Sequence, residues 1–180
     1  EELGCSVDQP SFQLDDPATA FRTIFYTNNF ASYGHLLKES PEKLTDNARF
    51  CLEQGSQATG ADYADALRTV EVLRARVEDL LETYDLLLSP TMAVPPFPIG
   101  QPPKNIAGID VQANASYSPL TRPFNLTGHP AASIPCGFSG DGLPIGLHII
   151  GRLGDEATVL RASAAFEQAK PWAQHRPNIG

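Results

Sequence analysis

The chain has 180 residues, of which 42% are hydrophobic, and this is enough to build a packed core. Its 21 acidic and 13 basic residues give a formal net charge of -8, which argues against nucleic acid and membrane partners because both need clustered Lys and Arg. No apolar stretch approaches the roughly 18 residues that span a bilayer, and the first residues lack the pattern of a targeting segment. We therefore expect a globular, cytoplasmic protein.

The N-terminal residues predict an interrupted element. Residues 1–4 are typical of the last turn of a helix with a Gly stop, and a strand is expected to follow from Cys5. Together with a first residue that is not Met, this predicts that the chain is a fragment. The three cysteines, Cys5, Cys51 and Cys136, are odd in number and far apart, which favours buried free thiols over disulfides or a zinc site.

Three helices are predicted in the first half of the chain. Residues 18–37 place apolar side chains at helical intervals, and residues 41–57 follow Ser40 as the N-cap, with Pro41 in the first turn and Gly60 as the stop. The third helix is the clearest, and Glu71 and Arg74 can form an ion pair on its wet face. Its apolar stripe recurs at steps of three and four residues, at Tyr63, Leu67, Val70, Leu73, Val77, Leu80 and Tyr84.

The next segment predicts a strand and a loop. Residues 85–90 contain three consecutive leucines and stop at a proline, which is typical of a short strand buried on both faces. A helix that leads into such a strand is the αβ unit of a sheet covered by helices. Residues 90–103 hold six prolines and predict an extended surface loop.

The last third of the chain predicts a short helical segment, a hairpin and a helix. The helical segment opens at Ser118-Pro119, is distorted by Pro123 and closes at Gly128. Strands at residues 131–136 and 144–150 are then joined by a tight turn, Ser139-Gly140-Asp141-Gly142. A final helix over residues 156–169 is capped by Asp155-Glu156.

Common catalytic and cofactor motifs are missing. The nearest match to the nucleophile motif G-x-S-x-G has Asp141 in place of the last glycine, so Ser139 is interpreted as a turn residue. The chain has no G-x-G-x-x-G and no Walker loop, and we expect no cofactor. Its four histidines, including His148, are too widely spaced for two ligands on one helix face, so we expect no metal site.

The motifs that stand out lie in the second half. They are the segments 84–91, 119–137 and 142–151, which contain N-L-T-G-H-P, P-C-G and G-L-P-I-G, and the closing Asp155-Glu156-Ala157. Together they closely resemble the C-terminal part of amidase signature family enzymes. The resemblance implies an α/β fold in which residues 1–180 form the C-terminal part of a single α/β/α domain, with a mixed β-sheet flanked by helices.

The resemblance also implies a reaction. Members of the family hydrolyse the C–N bond of a carboxamide, giving a carboxylate and ammonia or an amine, through a serine nucleophile, a second serine in a cis peptide and a lysine. Those residues lie in the family's N-terminal half, and none of the four lysines here, Lys38, Lys43, Lys104 and Lys170, matches that region. No catalytic residue is therefore assigned, and the segment alone is expected to be inactive.

The part of the reaction assigned to this chain is a wall of the substrate pocket. Ser118, Thr121 and Phe124 are the predicted substrate-binding residues, and the ligand is a small-molecule amide. In the related glutamyl-tRNA amidotransferase A subunits an acidic residue lies near position 118, so an uncharged Ser118 favours a general amidase that accepts a neutral or apolar amide. The competing interpretation is that Ser118 only caps the helical segment.

Two other functions stay open at this point. One is the A subunit of a glutamyl-tRNA(Gln) or aspartyl-tRNA(Asn) amidotransferase, which needs partner subunits. The other is a catalytically dead amidase relative that acts as a binding module. A piece of a larger domain also exposes sheet edges and the apolar sides of helices, and a homodimer is one way to cover them.

Overall fold

The α/β class predicted for the chain is confirmed in a computed structural model that describes residues 3–111 and 118–176. The helices are α1 (Ala18–Tyr33), α2 (Leu36–Glu39), α3 (Asp46–Gln57), α4 (Gly60–Thr83), α5 (Arg122–Thr127) and α6 (Glu156–Ala169), with a 3-10 turn at Pro41–Lys43. The strands are β1 (Leu87–Pro90), β2 (Asn105–Ile106), β3 (Ile109–Asp110), β4 (Ala131–Phe138) and β5 (Pro144–Ile150). Residues 15–76 form one compact unit, and residues 3–14 with 77–176 form another. The single domain stays a prediction.

In the unit of residues 15–76, α1 packs against α3 at a glycine. A Cβ on Gly55 would collide with the backbone carbonyl of Tyr26 and lie 2.8 Å from the Cβ of Phe30. The predicted helix 18–37 is wrong at its end, because the regular helix stops at Tyr33 and a separate turn follows. The close approach of α1 and α3 thus depends on the absence of a side chain at residue 55.

The second predicted helix also begins later than expected. Ser40 makes no side-chain cap bond, and its successor Pro41 starts a 3-10 turn instead of the helix. The cap of α3 is Thr45, whose Oγ1 accepts a hydrogen bond from the N–H of Ala48 at 3.2 Å. A hydroxyl that accepts the N–H of the third helical residue is the standard N-cap geometry, and it places the helix start five residues after Pro41.

Helix α4 confirms the predicted period but not every position in it. Gly60 begins this helix and does not end the previous one. The buried residues of α4 are Ala66, Val70, Leu73, Val77 and Leu81. Leu67, which was predicted to lie on the buried stripe, is 44% exposed. The predicted ion pair between Glu71 and Arg74 is present, with 2.9 Å between Oε1 and Nη1.

The sheet confirms the predicted hairpin. Its three strands follow the order β1-β5-β4, and both pairings are antiparallel. The turn closes with the N–H of Ser139 donating to the carbonyl of Leu143 at 2.8 Å, and Gly142 adopts a φ of +75°. That φ favours glycine, so local turn chemistry explains why this connection was predictable. All pairings among the described strands are antiparallel, and the mixed character of the sheet stays a prediction.

The two faces of the sheet carry different layers. On one face Ile134 and Ile149 pack with Val159 of α6, and Trp172 lies against this cluster. On the other face Ile150 packs with Phe124 of α5 and with two residues of α4, Val77 and Leu81. Helices therefore cover both faces, as the predicted α/β/α layering requires.

Strand β1 is less buried than its sequence suggests. Its burial alternates, and Leu88 is 53% exposed, so the prediction of a strand buried on both faces is wrong. Three leucines in a row give no alternation from which one-sided burial could be seen. The loop after β1 is irregular and largely exposed up to Lys104, as its prolines predict.

The cysteine prediction holds at one position of three. Cys51 is buried, whereas Cys5 is exposed and Cys136 is half-buried. Residues 5–10 have no regular structure, so the strand predicted from Cys5 is also wrong. Within residues 3–111 and 118–176, no helix combines the length and the apolarity that crossing a membrane requires.

Candidate functional site

The turn before α5 carries two of the three predicted wall residues. Ser118 is half-buried, and its carbonyl accepts hydrogen bonds from Thr121 Oγ1 and from the N–H of Arg122, each at 3.3 Å. Helix α5 begins at Arg122, so the N-cap position is Thr121 and the interpretation of Ser118 as the cap is wrong. Thr121 makes no side-chain cap bond. An N-cap side chain accepts from the N–H of the second or third helical residue, and the second residue of α5 is Pro123, which has no N–H.

The third predicted residue, Phe124, is mainly a core residue. It is 8% exposed and packs with Val77, Leu81 and Ile150. Its ring also meets the ring of His148 edge-on, with 5.5 Å between the centroids. Phe124 thus packs α5 against the central strand β5, where it contacts the polar residue His148 as well as the apolar Ile150.

A row of polar side chains begins at this contact. His148 of β5 pairs with Ser89 of β1 on one side and with Ser133 of β4 on the other. Thr91 follows β1 and continues the pairing, because its N–H donates to the carbonyl of Gly146 at 2.9 Å. Since alternate residues of a strand share a face, Ser89, Thr91, Ser133 and His148 all lie on the face that carries Ile150. We call these four residues the polar row.

Two hydroxyls of the polar row meet over a glycine. The Oγ1 of Thr91 and the Oγ of Ser133 lie 2.7 Å apart, although the two residues are 42 positions apart in the chain. Gly146 lies between them on β5, and a Cβ there would be 2.6 Å from the Thr91 oxygen and 2.8 Å from the Ser133 oxygen. Only a residue without a side chain leaves room for this hydroxyl pair.

His148 contributes a buried imidazole. It is 4% exposed, and burial lowers the pKa of its ring below the ordinary value of 6.5. Its Nδ1 lies 3.5 Å from Ser89 Oγ, which is too long for a strong hydrogen bond, and Ser89 donates instead to the carbonyl of Pro90 at 3.1 Å. The contact therefore lacks the geometry of an activated serine and its base.

The lowered pKa predicts how stability depends on pH. As the pH falls, His148 binds a proton in the unfolded chain at a higher pH than in the folded chain, because its pKa is lower in the folded chain. Protonation therefore favours the unfolded chain. The stability that the unprotonated, buried ring contributes is complete above about pH 6.5 and decreases as the pH falls below that value. We expect His148→Gln to remove this part of the pH dependence, measured as urea midpoints between about pH 7.5 and 5.5. The matched control is His35→Gln, at an exposed position, which should retain the wild-type slope. Equal slopes in wild type and His148→Gln would contradict the prediction.

Other buried polar residues lie at the two ends of α5 or just after it, and they were not predicted. Arg122 is 3% exposed, Thr127 is fully buried, and His129 is 5% exposed, with its Nδ1 2.8 Å from Thr127 Oγ1. The sequence offered one signal for their burial. Pro123 and Gly128 limit the helical segment to a few residues, and so short a helix has no separate polar face on which its polar residues could all be exposed. Of the four buried polar residues in the described ranges, three, Arg122, Thr127 and His129, thus lie in α5 or just after it.

The remaining site predictions concern lysines and metals. All four lysines, none of which was assigned a role, are exposed. In the described ranges, 3–111 and 118–176, no group of three His, Cys, Asp or Glu side chains is placed to hold a metal ion.

Comparison with known proteins decides the family. The Amidase family model matches residues 17–160. The chain belongs to the amidase family. It is 31% identical to an acylamidase of Rhodococcus erythropolis over 184 aligned positions, covering 98% of this chain and 38% of that protein. It is 42% identical to the A subunit of a glutamyl-tRNA(Gln) amidotransferase from Oceanobacillus iheyensis over 120 residues, covering 67% of this chain and 24% of that protein.

The fold agrees with that of a solved amidase. A crystal structure of an amidase superposes with a TM-score of 0.80 at 26% identity, over 86% of this chain and 36% of that one. The amidase-signature resemblance is thus confirmed. The chain spans between about a quarter and two fifths of the length of these relatives.

Proposed function

We propose that the chain forms the scaffold and one wall of the substrate pocket of an amidase, which hydrolyses the C–N bond of a small carboxamide. The observation that carries the proposal is the contact of Phe124 with His148, because it places α5 directly beside the polar row. A pocket wall needs an apolar surface with a few convergent polar groups, and this face of the sheet has both. Membership of the amidase family supports the reaction.

The predicted wall residues indicate which amides fit. Ser118 and Thr121 are half-buried and carry hydroxyls, and Phe124 carries an apolar ring. Hydroxyls favour a neutral polar group, whereas a charged substrate would need an opposite charge among these three residues, and none of them carries one. The proposed substrate is therefore a neutral amide with an apolar acyl group.

The proposed location is the cytoplasm, supported by three cysteines that form no disulfide.

The proposal is tested with the intact amidase that contains this chain and with the 180-residue chain alone. The intact protein should release ammonia from hexanamide, and the chain alone should not. In the intact protein Ser118→Asp should lower kcat/KM for hexanamide by about tenfold, since a carboxylate in the wall must be desolvated when a neutral amide binds. Ser56→Asp, at an exposed position of α3, is the matched control and should have no effect. Hydrolysis of hexanamide by the 180-residue chain alone would refute the proposal that this chain supplies only the scaffold and one wall of the pocket.

A second candidate is the A subunit of a tRNA-dependent amidotransferase. It is favoured by the 42% identity to the Oceanobacillus iheyensis protein, which is higher than the identity to the acylamidase. The test is glutamine-dependent amidation of mischarged tRNA by the intact protein together with its partner subunits. If the intact protein shows neither this activity nor amide hydrolysis, the binding-module alternative is the one supported. A homodimer would be detected by sedimentation of the same samples.

A further inference from the structure

We propose that His148 of β5 is a positioning residue for the substrate wall. It holds α5 in place through the ring of Phe124, and so it fixes where Ser118 and Thr121 lie. The inference rests on the proposed function and names a residue that governs how tightly this wall holds the amide. His148 is not among the predicted wall residues, and it acts on the wall through its contact with Phe124.

The first support is the geometry of the two rings. Their centroids lie 5.5 Å apart, and the ring planes meet at 68°. Aromatic pairs favour this edge-to-face arrangement at centroid distances of roughly 4.5 to 7 Å. Ser89 Oγ lies 3.5 Å from Nδ1 of the same imidazole, which is too far for a strong hydrogen bond. The packed ring pair, and not a bond to Ser89, therefore orients these two side chains.

The second support is the fixed position of His148 itself. It lies on the central strand, where it pairs with Ser89 of β1 and with Ser133 of β4. The next residue, Ile149, points to the opposite face and packs with Val159 of α6. A strand held by two neighbours and by a helix behind it moves little, so His148 is a firm support for the ring that packs against it.

The third support is the short backbone path from Phe124 to the wall. Helix α5 has six residues. The N–H of Asn125 donates to the carbonyl of Thr121 at 3.1 Å, and the N–H of Arg122 donates to the carbonyl of Ser118 at 3.3 Å. These bonds join the helix and the turn before it, so a shift of the Phe124 ring moves Ser118 and Thr121 as well.

Other residues also bury Phe124, namely Val77, Leu81 and Ile150. Their contacts are apolar and have no preferred angle, so they keep the ring out of water without fixing its orientation. An apolar side chain without a ring at position 148 therefore removes the positioning contact and retains the burial.

The first test measures kcat and KM for hexanamide in the intact amidase. His148→Leu should raise KM by about fivefold and leave kcat within about twofold, because a displaced wall weakens binding and leaves the chemical step unchanged. His148→Phe retains a ring and should keep the wild-type KM. His148→Asn keeps hydrogen-bonding groups without a ring and should behave like His148→Leu. Ile149→Val, on the opposite face of the same strand, is the matched control and should leave KM unchanged. Rescue by Asn and not by Phe would overturn the inference.

A double-mutant cycle tests whether Phe124 carries the effect. In a Phe124→Leu background the partner ring is gone, so His148→Leu should change KM further by less than about twofold. If the two substitutions raise KM independently, His148 does not act through Phe124 and the inference is overturned.

Amide hydrogen exchange in the 180-residue chain gives a readout that needs no substrate. His148→Leu should speed exchange at the N–H groups of Arg122 and Asn125 by about fivefold relative to those of α6, and Ile149→Val should not. Equal acceleration at all sites would show a merely structural role and overturn the inference. Hydrolysis of hexanamide with an unchanged KM in His148→Leu would reject the positioning role and leave the proposed function intact. If the intact protein hydrolyses no amide, the proposed function fails, and the exchange rates alone decide whether His148 positions α5.

Discussion

Replacing Gly55 by Ala is expected to destabilise the chain by roughly 3 kcal/mol, near the upper end of what overpacking costs. The new Cβ would meet the carbonyl carbon and oxygen of Tyr26 at distances that real atoms do not adopt, and the Cβ of Phe30 at 2.8 Å. A flexible side-chain tip could turn away, but a backbone carbonyl inside α1 can move only with its helix. The measurement is the free energy of unfolding from urea titrations followed by circular dichroism.

The control for this substitution is Gly60→Ala. Gly60 lies at the start of α4, and a Cβ there meets nothing within 4 Å. Ala is the better helix former by up to about 1 kcal/mol, so the control should be neutral or mildly stabilising. The sign of the two effects is thus opposite for the same chemical change. If Gly55→Ala were also neutral, the close approach of α1 and α3 would be wrong.

Replacing Leu81 by Ala is the second change with a large expected effect, a loss of about 3 kcal/mol. Leu81 is 2% exposed and packs with Val77, Phe124 and Ile150. Removing three carbons from this cluster leaves a cavity between α4, α5 and the sheet, and the loss includes both burial and the void. The backbone carbonyl of Leu81, which accepts a hydrogen bond from Arg152 Nε at 2.8 Å, is unchanged by the substitution.

Leu67→Ala is the matched change on the same helix. Leu67 is 44% exposed, so we expect a loss below about 1 kcal/mol in the same urea titration. The pair also discriminates between the observed stripe and the one predicted from the sequence, which placed Leu67 in the core and left Leu81 out of it. A larger loss at Leu67 than at Leu81 would favour the predicted stripe.

The elements fixed by local chemistry were predictable from the sequence. The hairpin turn follows from Asp141-Gly142, and α6 begins where Asp155 accepts a hydrogen bond from the N–H of Thr158 at 3.2 Å. The buried side of α4 was harder, because Ala66 and Leu67 are both apolar and lie about 100° apart on the helix. A prediction that favours large apolar side chains places Leu67 in the core, whereas in the structure the small Ala66 is buried and Leu67 is exposed.

The candidate site was predictable only in part. Phe124 was named from its motif, and the structure adds that its ring touches His148, while its role as a wall residue stays a prediction. The hydroxyl pair could not be found, because Thr91 and Ser133 meet only through the register of β1 and β4 on β5. A glycine inside an apolar strand, Gly146, was the available signal, since such a residue often marks the close approach of another group.

The position of Trp172 has a spectroscopic consequence. It is the only tryptophan in the sequence, and it packs against the cluster of Ile134, Ile149 and Val159 between the sheet and α6. Its fluorescence emission therefore reports on that cluster and contains no signal from residues 15–76. Far-ultraviolet circular dichroism, in contrast, includes helices α1 to α3 of that unit. Coincident urea transitions in the two signals would show that both compact units unfold together, and separate transitions would assign each unit its own stability.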